Sequence, residues 1–474
     1  MKKILLINPI FQKTIYSPLP DRIERSRGRY PPLGLAYLAA ILLKYNYDVR
    51  IYDADAEGLG FSGLKKYVKK FKADVVGITT TSFTFLQAKL TASIVRKLLP
   101  EAVILIGGPH VSLYPQKILF NEEFDIAVFG EAENTIIDLV KKLETDSNLD
   151  SVKGIVYRKE RKIIQTEPRA LIENLDELPF PARSLLPNPK YFYPFGTKNK
   201  FTSMITSRGC PFNCIFCLRA SGIHFGRRYR TRSPLNVLEE LEVVINDFKI
   251  KEIFFYDDIF TLEKSRIMEL CKGIIKRKLD ISWNCRTRVD WVSPKLLKIM
   301  KLAGCERIHY GIESGDSQVL KNLRKNITIS QIKNAFSWTK EAEIETFAYI
   351  MLGAPGEDSD SIRRTMLLLK KVNPTYIGFF ITTLFPGTDI YKYALEKKLL
   401  STDIWEDFTL GKIKTQPLPY LEESFNQVEL EKILKKCYRE YYFRPSYIWN
   451  KIKSLKSLSQ LSMNLRGFQL LLRL

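Results

Sequence analysis

Three cysteines stand within eight residues of the chain, at Cys210, Cys214 and Cys217. Thiolate sulfur is a soft ligand that suits an iron-sulfur cluster or zinc. A structural zinc site takes four ligands at regular spacing, but His224 lies seven residues further on and the other four cysteines are scattered. Three thiolates would leave one iron of a four-iron cluster open to a substrate or cofactor. The spacing therefore favours a [4Fe-4S] cluster over zinc or three buried structural cysteines.

The three cysteines and Phe216 form the pattern Cys-x-x-x-Cys-x-Phe-Cys, which resembles the signature of the radical S-adenosylmethionine (SAM) enzymes. The resemblance implies that the cysteines bind three irons and that the amino and carboxylate groups of SAM bind the fourth. The reduced cluster would then cleave SAM to a 5'-deoxyadenosyl radical. Phe216 would pack against the cluster and the adenine region. In such enzymes the cofactor carries the reactivity, and the protein orients the cofactor and excludes water. The sequence does not identify a catalytic side chain.

Strands and helices alternate after the cysteines. A helix is predicted from about Pro234, and strands are predicted at 252–256, 281–286, 307–313, 346–352 and 376–382. This order fits the partial (β/α)6 barrel of the radical SAM family, predicted here over residues 200–400. Functional groups of such barrels lie at the carboxyl ends of the strands.

The resemblance extends to the ends of four of these strands. Asp257 belongs to a segment that would face the SAM amino group, and Arg288 follows the next strand. Glu313 and Ser314 belong to a segment like the ribose-binding one, and Gly353 to a loop like that on the adenine side. We therefore expect these five residues, with Phe216, to bind SAM.

Further basic residues accompany these strand ends. Arg286 precedes Arg288 by two residues, and Lys321, Arg324 and Lys325 follow the predicted ribose segment. Any of the last three could pair with the SAM carboxylate, and the sequence does not choose among them.

The first third of the chain also alternates strands with helices. Short apolar strands are predicted at 3–7, 47–52, 74–79, 103–106 and 125–129, with helices at 31–44 and from about residue 134. Such runs are typical of parallel strands covered by helices on both faces. We predict a doubly wound, Rossmann-like sheet over residues 1–145, with ligands at the carboxyl ends of its strands.

Two of these strands end in hydroxyl groups and glycines. Thr80 and Ser82 follow one strand, and Gly107 and Gly108 follow the next. On spacing alone, a pair of ordinary turns explains them equally well. Their order resembles the cobalamin (B12)-binding domain, in which such residues line the cleft for the nucleotide tail. His110 could approach the corrin or shape the turn.

The cobalt-ligating loop of that domain, Asp-x-His-x-x-Gly, is absent. Residues 8–11 read Asn-Pro-Ile-Phe in its place. We therefore expect cobalamin to bind without a histidine from this loop, or the domain to have lost cobalamin.

Two segments complete the chain. Residues 146–199 are predicted to form a small hairpin and a proline-rich connector, because closely spaced prolines exclude helix. Residues 401–474 are predicted to be helical and basic, with no acid after Glu440. This end could lie on an anionic membrane as an amphipathic helix or pack over the barrel mouth with a solvated basic face.

The charge and cysteine content of the chain indicate which partners and which compartment to expect. The 474 residues include 74 Lys and Arg against 52 Asp and Glu, a net charge of +22 that favours anionic partners. Seven cysteines argue against a secreted disulfide scaffold. No apolar stretch has membrane-spanning length. Together with the sparse cysteines, this leads us to expect a protein of the reducing cytoplasm. Peripheral association with a membrane is a second option. Specific nucleic-acid binding is not expected, because the basic residues are dispersed.

The combination resembles the cobalamin-binding radical SAM enzymes. It implies an enzyme that methylates an unactivated carbon or phosphorus centre of a small-molecule, lipid or pathway-intermediate substrate, using a low-potential reductant such as flavodoxin or ferredoxin. One alternative is radical oxidation, cyclisation or rearrangement without methyl transfer. A second, from another class, is a basic nucleic-acid-binding protein with a structural metal.

Overall fold

The structure is a computed structural model that describes residues 2–11, 15–16, 28–196, 200–223, 225–413 and 416–453. His224 and residues 454–474, on which two of the expectations above fall, lie outside the described residues.

The N-terminal sheet has seven strands in the order β3-β1-β4-β5-β6-β7-β8. The first five in this order are parallel, and the last two pair antiparallel. Its strands are β1 (Lys3–Asn8), β3 (Asp48–Asp53), β4 (Val75–Thr79), β5 (Val103–Gly107), β6 (Ile126–Val128), β7 (Ile155–Lys159) and β8 (Lys162–Gln165). A separate pair joins β2 (Ile15–Tyr16) to a strand near the C-terminus.

Helices cover both faces of this sheet, as the nearly unbroken burial of β1 and β4 requires. They are α1 (Leu33–Lys44), α2 (Ala54–Glu57), α3 (Gly60–Phe71), α4 (Phe85–Leu98), α5 (Pro109–Leu113) and α6 (Glu133–Glu144). The predicted doubly wound sheet is confirmed. The hairpin of β7 and β8, which the sequence assigns to the connector, extends the sheet because β7 pairs with β6.

The second sheet has six strands, all parallel, in the order β16-β15-β14-β13-β12-β9. These strands are β9 (Phe201–Met204), β12 (Glu252–Phe255), β13 (Ser282–Thr287), β14 (Cys305–Glu313), β15 (Glu345–Leu352) and β16 (Tyr376–Ile381). Shorter pairs join β10 (Ser207–Arg208) to β11 (Arg230–Thr231), and β17 (Gln416–Pro417) to β2. Six parallel strands with helices between them confirm the partial (β/α)6 barrel.

Eleven further helices lie within the described part of the chain after β10. They are α7 (Leu218–Ser221), α8 (Pro234–Phe248), α9 (Lys264–Lys276), α10 (Pro294–Leu302), α11 (Ser317–Asn322), α12 (Ile329–Glu341), α13 (Ser359–Val372), α14 (Asp389–Glu396), α15 (Ile404–Thr409), α16 (Gln427–Tyr442) and α17 (Pro445–Lys453).

The C-terminal helix α16 packs on the barrel strand β16. The Tyr438 hydroxyl lies 3.1 Å from the Phe379 amide nitrogen, and the Tyr442 hydroxyl lies 2.7 Å from that of Ile377. The described part of the C-terminal segment therefore covers the last barrel strand. None of the helices within the described ranges is both long enough and apolar enough to cross a membrane.

Candidate functional site

A cavity of about 680 Å3 lies where the barrel meets the loop after β4 of the N-terminal sheet. Cys210, Cys214 and Cys217 all line it. Phe83, from the loop after β4, and Phe385, from the loop after β16, meet at its wall with their ring centres 5.7 Å apart. Both parts of the protein therefore contribute side chains to one chamber.

The three cysteines share the lining of this cavity. Cys210 and Cys214 are buried, Cys217 is partly exposed, and the Cys217 amide donates to the Cys214 carbonyl at 3.2 Å. Within the described residues, no three potential ligands converge to hold one metal ion. Each thiolate of a [4Fe-4S] cluster binds a different iron, so three thiols on one cavity wall fit such a cluster. Burial raises the pKa of the Cys210 thiol to about 11, and bound metal would favour its thiolate.

The backbone before Cys210 fixes the entry to this loop. Gly209 has φ of +85°, and a Cβ there would lie 2.1 Å from the Arg228 carbonyl oxygen. Only glycine fits a left-handed position so close to another backbone segment. Arg208 is buried and donates from Nη1 to Glu131 Oε1 at 3.0 Å and from Nη2 to Glu133 Oε1 at 2.5 Å. These ion pairs tie the cysteine loop to the loop after β6.

Arg288 lies beside the second cysteine. Its guanidinium stacks 3.9 Å from the centre of the Phe212 ring, and Nη1 lies 4.0 Å from Cys214 Sγ. Asp290 accepts from Nε at 2.9 Å, and the Lys325 carbonyl accepts from Nη2 at 2.8 Å. Arg288 therefore presents a positive charge, already paired with a carboxylate, next to the cluster-binding residues.

Glu313 and Lys325 form a buried ion pair in the cavity wall, with Nζ 2.7 Å from Oε1. Glu313 has φ of +68°, an uncommon conformation that tends to occur at functional sites. A side chain at Gly311 would collide with this pair, because its Cβ would lie 2.5 Å from Glu313 Oε1. Lys325 Nζ also lies 5.9 Å from the centre of the Phe216 ring.

The structure distinguishes among the three basic residues that the sequence left open. Lys325 lines the cavity. Lys321 is exposed, and Arg324 is an exposed partner of Asp389 at 2.8 Å. Lys325 is thus the one of the three placed to meet a ligand there.

Three predicted SAM-binding residues do not line the cavity. Asp257 is buried and accepts from the amide and hydroxyl of Thr206. Ser314 is buried with its hydroxyl 3.2 Å from that of Thr365. The Gly353 amide donates to Glu357 at 2.6 Å; this residue has φ of +75°, and a Cβ there would lie 2.8 Å from Leu430 Cδ2 of α16. These residues support the loops around the cavity, and their contact with SAM stays a prediction.

The four predicted cobalamin-binding residues meet at the carboxyl ends of β4 and β5. The Thr80 amide donates to the Gly107 carbonyl at 2.8 Å. Gly108 has φ of +108°, and a Cβ there would lie 2.5 Å from the Thr80 carbonyl oxygen. The Ser82 hydroxyl is 3.0 Å from His110 Nδ1. The structure brings the set together, and their contact with cobalamin stays a prediction.

His110 lies buried beneath the carboxyl ends of β4 and β5. It is fully buried, and its Nε2 lies 3.0 Å from the hydroxyl of Thr409 in α15. Burial lowers the pKa of His110 to about 3, so the ring is neutral and bridges two hydroxyls. It therefore ties the predicted cobalamin edge to the C-terminal segment.

Helix α4, which follows this edge, carries buried polar atoms without partners among the described residues. Both polar atoms of the Gln87 amide and the Thr91 hydroxyl lack hydrogen bonds, and both residues are buried. Unpaired buried polar groups are costly. A ligand with polar groups, such as the nucleotide tail of cobalamin, would offer such atoms partners, and its contact with them stays a prediction.

The sequence reasoning missed several residues that line the cavity. Arg219 pairs with Asp258, with Nε 3.2 Å from Oδ1. His309 is held between the hydroxyls of Tyr349, at 2.9 Å, and Tyr193, at 2.8 Å. The sequence offered one signal: Asp258 stands directly after Asp257 in the segment that the resemblance marked, and it lines the cavity where Asp257 does not.

The fold and the cysteine site together define a radical SAM enzyme. The chain belongs to the radical SAM superfamily, whose sequence model matches residues 204–369, and it carries a B12 binding domain, whose model matches residues 21–140.

Two relatives and one solved structure are similar to this chain over most of its length. It is 36% identical over 450 residues to the uncharacterized methyltransferase PH0819 of Pyrococcus horikoshii, covering 94% of each chain. It is 29% identical to the anaerobic magnesium-protoporphyrin IX monomethyl ester cyclase of Rubrivivax gelatinosus, covering 78% of this chain and 67% of the cyclase. The structure of the radical SAM methyltransferase TsrM of Kitasatospora setae, with cobalamin and a [4Fe-4S] cluster bound, superposes with a TM-score of 0.68 at 18% identity, covering 84% of this chain and 78% of TsrM. That likeness shows a shared fold.

Proposed function

We propose that this protein is a cobalamin-dependent radical SAM methyltransferase that methylates an unactivated carbon or phosphorus centre. The observation that carries the proposal is the single cavity lined both by the three cysteines and by Phe83, which follows the predicted cobalamin-binding strand β4. A substrate in this cavity would meet both the cysteines and the loop after β4 to which Phe83 belongs. The relative PH0819 is named a methyltransferase, which supports the same reaction class.

When bound, the cluster and SAM supply a radical that abstracts hydrogen, and methylcobalamin supplies the methyl group. The chain's own residues position these groups. Cys210, Cys214 and Cys217 hold the cluster, and Lys325, paired with Glu313, meets the charged end of SAM. Phe216 packs beside them, and the aromatic wall of the cavity excludes water.

A second candidate is radical oxidation or cyclisation without methyl transfer. The 29% identity to an anaerobic cyclase favours it. The two candidates differ in the fate of SAM: the methyltransferase also converts SAM to S-adenosylhomocysteine, whereas the second candidate yields only 5'-deoxyadenosine.

The test uses the full chain, produced with hydroxocobalamin and reconstituted anaerobically. We expect iron, sulfide and cobalt in the protein, and both SAM products when a low-potential reductant is present. Cys214→Ala should abolish 5'-deoxyadenosine formation. Cys271→Ala is the matched control, because Cys271 is buried in the core away from the cavity.

The alternative outcomes separate the candidates. SAM cleavage at the wild-type rate in Cys214→Ala contradicts the proposal. Iron without corrin favours the second candidate, and zinc without iron favours a structural metal in a binding protein.

Radical SAM enzymes generally need a reductant and act on small molecules. We propose flavodoxin or ferredoxin as the reductant, since both deliver electrons at low potential. Membrane contact through residues 445–474 is a further proposal from the basic sequence. Flotation with anionic liposomes, with and without those residues, tests it, and absence of binding at low and high salt refutes it.

A further inference from the structure

Four cationic side chains line the cavity, and one of them differs from the rest. Three are paired with carboxylates: Arg219 with Asp258 at 3.2 Å, Arg288 with Asp290 at 2.9 Å, and Lys325 with Glu313 at 2.7 Å. Arg286 has no carboxylate partner within the described part of the chain. The cavity therefore holds one positive charge that no acidic side chain balances.

Arg286 is instead surrounded by aromatic rings. Its guanidinium lies 3.9 Å from the ring centre of Tyr256 and 5.3 Å from that of Phe254. Its Nε is buried and has no hydrogen-bond partner in the described structure. The Tyr256 phenol interacts with the guanidinium, but no carboxylate balances its charge, and a cation away from water without a counter-charge is costly.

The positive charge of Arg286 lowers the pKa of two neighbouring side chains. Arg286 lowers the pKa of the Tyr256 phenol. Burial, together with the charges of Arg307 and Arg286, lowers the pKa of His309 well below its ordinary value, so the imidazole stays neutral. The region is consequently electropositive and suited to an anion.

Arg286 lies near the end of the cavity that the three cysteines line. Arg286 and Arg288 are two residues apart at the end of β13, so they face the same side at a separation of about 7 Å along the strand. Arg288 is the residue that lies 4.0 Å from Cys214 Sγ. A group held by Arg286 is therefore close to the cluster-binding end without occupying it.

Much of the remaining cavity lining is apolar. Phe380 is 49% exposed at the end of β16 and lines the cavity beside Ile381, Phe385 and Met351. A molecule that fills this space presents an apolar body to these side chains and an acceptor to Arg286.

We propose that Arg286 anchors an oxyanion of the substrate, a carboxylate or a phosphate-type group, while the apolar body of the substrate lies along the aromatic wall. A guanidinium presents parallel N–H donors that match both oxyanions. The inference rests on the proposed function, whose substrate class it specifies.

SAM also carries a carboxylate, but that group would bind the open iron at the cysteine end. Arg288 and Lys325 stand nearer to that end, because one contacts Cys214 and the other Phe216. Arg286 is accordingly assigned to the substrate, and the test includes SAM as a competing assignment.

The test measures binding of octanoate, octyl phosphate and neutral octanol to the reconstituted full chain by calorimetry. We expect the wild type to bind at least one of the two anions about 10-fold or more tighter than octanol. Arg286→Gln should weaken anion binding about 10-fold or more, the scale of a charge-assisted hydrogen bond, and leave octanol binding unchanged. The anion that binds tighter distinguishes carboxylate from phosphate recognition.

Two further variants control the measurement. Arg277→Gln should bind like the wild type, because Arg277 pairs with Glu242 on the outer helices, 3.0 Å away. Arg286→Lys keeps the charge without the planar donor pair, so its affinity for the anion should fall between those of the wild type and Arg286→Gln. If Arg286→Gln does not fold, the anion affinity of Arg286→Lys is compared with that of the wild type instead.

Equal anion affinity in the wild type and the folded Arg286 variant overturns the inference. It is also overturned if neither anion binds tighter than octanol, or if the variant loses SAM affinity while anion binding is unchanged. Iron content of the same preparations separates this result from the proposed function. If the protein binds the anion through Arg286 but forms no cluster, the proposed function is refuted and this inference stands. If the protein carries the cluster but does not bind the anion through Arg286, this inference is refuted and the proposed function stands.

Discussion

Arg208 and Glu131 form a buried ion pair, with Nη1 3.0 Å from Oε1, that joins the cysteine loop to the N-terminal sheet. Arg230 donates to the same carboxylate at 2.9 Å from each of its terminal nitrogens. Although burial raises the pKa of Glu131, the hydrogen bond from Arg230 and the charge of Arg208 hold it below its ordinary value. The carboxylate is therefore ionised and binds two arginines between the two parts of the protein.

Glu131→Gln should destabilise the protein by about 3–5 kcal/mol, because it leaves the buried Arg230 guanidinium without a counter-charge and leaves Arg208 with Glu133 alone. Urea unfolding measures the loss. Glu167→Gln is the control, since Glu167 pairs with Lys153 at the surface and its loss should not move the unfolding midpoint. Equal midpoints for Glu131→Gln and the wild type would show that this ion pair does not hold the domains.

Gly209→Ala should lower the iron content of reconstituted protein severalfold. The alanine would combine an unfavourable φ of +85° with a Cβ 2.1 Å from a carbonyl oxygen, so the cysteine loop must shift. Gly34→Ala is the matched control, because Gly34 lies in α1 with no atom within 4 Å of the added carbon. Iron assays decide, and full cluster loading of Gly209→Ala would refute the steric argument.

Lys325→Gln should weaken SAM binding by about 10-fold or more, the usual cost of losing a charge-assisted hydrogen bond. It also leaves Glu313 without its partner. Arg324→Gln changes the adjacent residue, which is exposed and paired with Asp389, and should bind SAM normally. Equilibrium binding of SAM to both variants is the measurement, and equal affinities would remove Lys325 from the SAM site.

The choice of Lys325 illustrates where the sequence was insufficient. Three basic residues follow one another near the end of α11, and their directions depend on a left-handed turn at Arg324, with φ of +50°. Nothing in the order of residue types specifies that turn. The structure brings Lys325 inward and leaves the other two in solvent.

The strands themselves were predictable. Five of the six barrel strands have observed bounds within two residues of those predicted, whereas β9 (Phe201–Met204) was not predicted. Pairings between distant segments were not predictable, because no local pattern encodes them. The contact of Arg219 with Asp258 and the bridge from His110 to Thr409 are of this kind.

The loop between Gly353 and Glu357 should make stability depend on pH. Burial raises the pKa of the Glu357 carboxyl from 4.5 to about 7, so the folded state favours the protonated form. Its contribution to stability is complete below pH 4.5 and declines as the pH rises to about 7, by up to about 3 kcal/mol. Glu357→Gln should flatten the stability profile over this range.

Unfolding of the wild type and Glu357→Gln at several pH values measures the difference. Asp360→Asn, an exposed substitution on α13 nearby, should keep the wild-type slope. Identical slopes in the wild type and Glu357→Gln would contradict a raised pKa at this carboxyl.

The most direct test of the account is electron paramagnetic resonance of the reduced, anaerobically reconstituted protein before and after addition of SAM. If Cys210, Cys214 and Cys217 hold a cluster whose fourth iron is open, SAM binds that iron and changes the spectrum. A spectrum that is the same with and without SAM, in protein that contains the cluster, would contradict the central claim.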